Sequence, residues 1–148
     1  MPKHKQLDPA EEQEWLDEQE QNVLRYLNSE NIAADGDLQI EWCIAPIVAL
    51  WRADCGDETQ MWIICGDLPT DFVRDSAIVD GRQAMKALCR RWLEVAGYLL
   101  QGAQHPKIQM GSGLGAAEMK ELGNLLQRRA MMLQEWTVND AKWAEGTA

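Results

Sequence analysis

The chain has 148 residues, 46% of them hydrophobic, and a formal net charge of −10. That length suits one domain with a proper core and is short for two, so a single domain over 1–148 is expected, with short flexible termini at about 1–7 and 144–148. Residues 1–58 hold 4 Lys/Arg against 14 Asp/Glu, a field that repels phosphate backbones and argues against nucleic acid as the main partner.

Asp8-Pro9-Ala10-Glu11 opens a helix by three local rules at once: an N-cap acid, proline at the first helical position, and glutamate three residues after the cap. Leu16, Val23 and Leu27 recur at helical spacing, with Leu24 and Tyr26 widening the stripe, so an amphipathic helix is predicted to about Asn28. A turn-rich stretch from Asn31 to Gly36 ends it. Seven acids between Asp8 and Glu20, with no base among them, form either a solvated face or a docking face for a basic partner.

From Leu38 the period changes to two. Leu38, Ile40, Trp42 and Ile44 alternate with polar positions and predict a half-buried strand. Pro46 interrupts, and Ile47 to Ala53 resumes as a second strand, because one helix across both runs would place a proline in its interior. After the turn residues Asp54 to Thr59, Met61 to Cys65 pairs back as a hairpin. Gly66 then lets the chain leave the strand sharply, and Pro69 stiffens the loop that carries Asp67, Thr70 and Asp71. Thr70 or Asp71 would cap a short helix from Phe72.

Asp80-Gly81-Arg82-Gln83 reads as a second capped helix start. Met85, Leu88, Trp92, Val95, Ala96 and Leu99 form its apolar stripe, while Arg82, Lys86 and Arg90 line another face that is either exposed or turned toward the acidic first helix. Gly102 closes this helix and Pro106 prevents continuation. A last long helix runs from about Leu114 to Trp136, with Arg129 in the middle of its apolar side and Glu118 one turn above Leu122. Trp143 folds back onto the body. The expected fold class is therefore α+β: a small antiparallel β-meander of two or three strands packed against an N-terminal helix and two long C-terminal helices.

No apolar run approaches the ~20 residues of a membrane span, and Met1 to Gln6 has no apolar signal segment, so a cytoplasmic protein without membrane association is expected. Cys43, Cys55, Cys65 and Cys89 include no Cys-x-x-Cys pair and there are only two histidines, which is poor material for zinc; no metal and no cofactor are expected. Cys43, Cys65 and Cys89 read as reduced core thiols, and Cys55, beside Gly56, as the one at the surface. Gly111 to Ala116 spells G-x-G-x-x-[GA], but no βαβ unit surrounds it and a flexible turn between helices explains it better. His105 reads as a helix C-terminal dipole partner rather than a base.

Asp67, Asp71 and Asp75 bring two or three carboxylates near one another, as a divalent cation would require, or else bond the amides of their own turns. Arg129, stranded on an apolar face, is expected to pair with Asp67 or Asp71, because a guanidinium fork matches two carboxylate oxygens and an unpaired buried charge costs several kcal/mol.

Trp62-Ile63-Ile64-Cys65-Gly66-Asp67-Leu68-Pro69-Thr70-Asp71-Phe72, with Pro46-Ile47-Val48-Ala49-Leu50-Trp51 and Arg129-Ala130, resembles a bacterial family, a domain of unknown function. The resemblance covers most of the chain and implies one domain. It brings no activity and no catalytic residues.

Two functions follow. The first is a non-enzymatic acidic interaction module, of inhibitor or immunity type, meeting a basic protein partner through Glu11, Glu14, Trp15 and Glu18. The rival is a small enzyme or ligand-binding protein with a pocket built by Asp67, Thr70, Asp71 and Arg129. Apolar helix faces are compatible with a homo-oligomer, which the sequence does not fix.

Overall fold

The computed structural model describes residues 7–32, 38–54, 59–108, 110–111 and 113–147. Cys55, Ser112 and parts of the two expected turns at 31–36 and 54–59 lie outside the described residues, as do residues 1–6 of the amino-terminal segment. The described chain runs α1 (Pro9–Ser29), β1 (Gln39–Ile44), β2 (Val48–Asp54), β3 (Gln60–Gly66), β4 (Asp71–Arg74), α2 (Gly81–Leu99), α3 (Ala116–Val138) and α4 (Asp140–Gly146).

The sheet is an antiparallel meander in the order β1-β2-β3-β4. Its central strands are buried on both faces, which explains why Ile47–Ala53 and Met61–Cys65 read as continuous apolar runs. On one face Ala49, Trp51, Ala53, Met61, Ile63 and Cys65 pack against Val23 and Leu27 of α1. On the other, Val48, Leu50, Trp62 and Ile64 meet the apolar stripe of α2 and, through it, Leu126, Ala130 and Leu133 of α3. The acidic helix and the two long helices therefore lie on opposite sides of the sheet, and Arg82, Lys86 and Arg90 of α2 do not face α1. Arg82 instead donates to the Thr137 carbonyl at 2.6 Å and pairs with Asp140 at 2.7 Å, while Lys86 and Arg90 are exposed.

Four details correct the expectation. A fourth strand replaces the predicted short helix from Phe72: Asp71 pairs with Ile64 and Phe72 with Ile63. Four residues are too few to show a period, and the same Thr-Asp pair spells a helix cap. In β1 the register shifts between Ile40 and Trp42. This bulge turns Leu38 and Ile40 toward α1, and Trp42 and Ile44 toward α2 and α3, so the four do not share one face. In α1, Leu24 is 45% exposed rather than part of the stripe.

The fourth detail concerns α3, whose buried line is Gly123, Leu126, Ala130, Leu133 and Thr137. Arg129 and the large Leu122, Leu125, Met132 and Trp136 flank that line, half-buried, and Glu118 is exposed. Small residues set this axis: a Cβ on Gly123 would sit 3.1 Å from the side chains of Leu99 and Leu100. Trp143, on α4, does fold back. It stacks on Trp42 with centroids 4.5 Å apart, and its carbonyl accepts from the Trp42 indole at 2.8 Å. Residues 140–147, which include most of the expected flexible terminus, form α4 and a bridge from Thr147 to Trp42.

Candidate functional site

Gly66 ends β3 with φ +133, and a Cβ there would lie 2.3 Å from the Ile47 carbonyl oxygen, which also accepts from the Asp67 N–H at 2.8 Å. Only glycine permits this exit. The loop that follows is clamped at both ends by arginines from different helices. At its start, Arg129 of α3 donates through Nε to the Asp67 carbonyl at 2.8 Å and through Nη2 to the Asp67 carboxylate at 3.2 Å. At its end Asp71 is 4% exposed. Its Oδ2 accepts from the Trp92 indole at 2.9 Å and lies 3.1 Å from Arg91 Nε, an ion pair without hydrogen-bond alignment, while its Oδ1 accepts from the Phe72 N–H at 2.8 Å.

Arg129 thus pairs with Asp67 and not with Asp71, whose partners come from α2. Neighbouring residues there divide the work, since a backbone turn of about 100° lets Arg91 and Trp92 reach the same carboxylate from two sides. Asp75 bonds its own turn, accepting from the Ala77 N–H at 2.9 Å. Among the described residues no group of three His, Cys, Asp or Glu side chains is placed to hold a metal ion.

Beside Asp71 a cleft of about 430 Å³ lies over the β4 edge of the sheet. The end of α1 supplies Tyr26 and Glu30, the loop supplies Pro69 and Thr70, and α2 supplies Arg91. Met110, Gly111 and Leu122 close the far wall. Asp67 and Arg129 are not part of its lining, so the expected pocket residues separate: Thr70 and Asp71 are in it, the other two are not. The Gly111 turn serves as wall rather than as a phosphate cradle.

The polar groups of this cleft are unevenly satisfied. Asp71 has three partners, whereas the Tyr26 hydroxyl, the Thr70 hydroxyl, the terminal nitrogens of Arg91 and the Glu30 carboxylate have no hydrogen-bond partner among the described residues. Burial, with the Asp71 and Glu30 charges adding and Arg91 opposing, pushes the Tyr26 phenol from 10.0 to about 12, so it is a donor at neutral pH. Its ring meets Phe72 edge-on at 6.3 Å.

Sequence reading found Thr70 and Asp71 but missed Tyr26, Glu30 and Arg91. Tyr26 reads as part of the first helix's stripe, Glu30 falls between the predicted helix and the predicted turn, and Arg91 sits beside the charged face Arg82-Lys86-Arg90. The only signal was Arg91 itself, a base flanked by the apolar Trp92 and one step off that face.

On α1, Glu11 closes the capping box, accepting from the Asp8 N–H at 3.2 Å, and Asp8 accepts from the Glu11 N–H at 2.8 Å. Glu14 and Glu18 are exposed and in no ion pair among the described residues. Trp15 is half-buried, packed against the α1 side of the core. His105 is buried: its Nδ1 accepts from the Lys107 and Ile108 N–H groups at 3.0 and 2.9 Å, which places the proton on Nε2, 3.1 Å from Glu94. It therefore shapes the α2–α3 connector. Cys43, Cys65 and Cys89 are free thiols, with burial raising each from 9.0, to about 11, 11 and 12.

No described helix is long and apolar enough to cross a membrane. No match is found among curated proteins or among solved structures. Residues 9–143 match the family described as a domain of unknown function (DUF4826), and with nearly the whole chain covered, the protein belongs to that family.

Proposed function

We propose that this protein is a small-ligand-binding module whose site is the cleft between Tyr26, Thr70 and Arg91. The observation that carries the reading is the set of donors there without partners among the described residues, arranged around an open space of about 430 Å³. Three donors lining one concavity are what fixes the orientation of a small polar ligand. Titrating a mixture of small polar metabolites against the isotope-labelled protein tests it. Binding should move the Trp92 indole N–H, which reports on Asp71, and the Tyr26 ring together. Shifts that avoid both and gather elsewhere would refute the reading.

A second reading, an acidic interaction module for a basic protein, draws on Glu14 and Glu18, exposed and in no ion pair among the described residues. Complementary charge speeds docking and weakens with salt. For this reading, a lysine-rich peptide should bind the native chain at low salt, lose affinity as salt rises, and bind the Glu14→Gln/Glu18→Gln variant more weakly. Equal affinity for both chains would remove it.

A further inference from the structure

Resting on the cleft as a binding site, we infer that its ligand is a small amphoteric molecule of the α-amino-acid class, its carboxylate on Arg91 and its ammonium on Glu30. Arg91 is the only cation lining the cleft among the described residues. Asp71 occupies just its Nε edge, so the terminal nitrogens remain for a second carboxylate, and a guanidinium holds two such anions on different edges. A ligand that was only an anion would still meet two carboxylates in the same cleft, Asp71 and Glu30. Asp71 is already compensated by Arg91 and by two N–H donors, which leaves Glu30 as the negative charge of the cleft without a partner among the described residues.

A ligand with one charge of each sign matches that pattern, and one with a single charge of either sign meets a repelling partner. Both groups line the same cleft of about 430 Å³, with Tyr26 in its wall beside them. Its hydroxyl and that of Thr70 supply neutral donors to the carboxylate. Met110 and Leu122 give the opposite wall an apolar surface, which suits a ligand with an aliphatic or thioether side chain.

The test uses the full chain, isothermal titration with each standard L-amino acid, and the Trp92 and Tyr26 resonances as location markers. At least one amino acid with an apolar side chain should bind and move both markers. Its desamino analogue, which keeps the carboxylate, and its decarboxylated analogue, which keeps the amine, should each bind about tenfold or more weakly. Glu30→Gln should weaken the amino acid while leaving the desamino analogue unchanged or tighter. Because Glu30 is exposed, that variant keeps its fold even if Arg91→Gln does not. A desamino analogue that binds as well as its parent, with both markers moving, overturns the amphoteric assignment and leaves the cleft standing. Markers that stay still with every amino acid and both analogues overturn the assignment and weigh against the cleft as well.

Discussion

A carboxylate out of water needs its lone pairs satisfied, and Asp71 meets that need with groups from two elements. Asp71→Ala leaves the Trp92 N–H buried without an acceptor and Arg91 without its counter-charge. It should cost about 2–4 kcal/mol, read as a lower urea midpoint at unchanged slope. A midpoint within error of wild type would show that water replaces the carboxylate. Tyr26 gives a pH signature at the same site. Its phenol is raised to about 12 by burial first, so the folded chain keeps a proton that the unfolded chain loses near 10.0. The resulting stability is complete below pH 10 and is lost as pH rises toward about 12. Tyr26→Phe should flatten the fall in stability across that window. The buried thiols titrate in the same direction in both proteins and cancel in the comparison. At this scale the sequence was half legible: an acid on a stiff loop was visible, but its partners at positions 91 and 92 were separated from it by twenty residues and a strand.

Elements were easier to read than the joints between them. Caps at Asp8 and Asp80 and the apolar runs of β2 and β3 are written locally, because each rests on neighbours in the chain. The bulge in β1, the four-residue β4 and the rotation of α3 depend on partners distant in sequence, so no local period announces them. The Arg129 clamp offers a test of one such joint. Because Nε holds the Asp67 carbonyl, Asp67→Ala keeps half the clamp, whereas Arg129→Ala loses all of it. Both pairs are solvent-accessible, so the costs are small, about 0.5 kcal/mol or less and about 1 kcal/mol, and their order is what matters. Equal losses in urea unfolding would mean that the carboxylate carries the whole clamp. Gly146 tests the docking of α4. A Cβ there would lie 2.3 Å from Trp42 Nε1, so Gly146→Ala should push α4 off the sheet and weaken the near-ultraviolet circular dichroism of the Trp42–Trp143 stack, while far-ultraviolet helix signal stays nearly constant. An unchanged aromatic spectrum would show that α4 accommodates the methyl group.

At the level of the whole molecule, the sheet divides the charge. The acidic first helix lies on one side and the mixed-charge α2–α3 pair on the other, while the cleft opens at the β4 edge where the end of α1 and the α2–α3 connector both reach. Ligand binding at that edge would tie α1 to α2, two elements that share no face of the sheet. The opposite edge is closed differently. Thr147 bridges Trp42, and the short last helix completes the burial of that indole by stacking Trp143 on it. A chain cut after Val138 would present β1 with open amide and carbonyl groups beside a bare tryptophan, a template on which a second chain can add a strand. Such a truncation should reveal itself less by a lower melting point than by light scattering that grows with protein concentration. On that expectation α4 guards the β1 edge against self-templating as well as completing the core around Trp42.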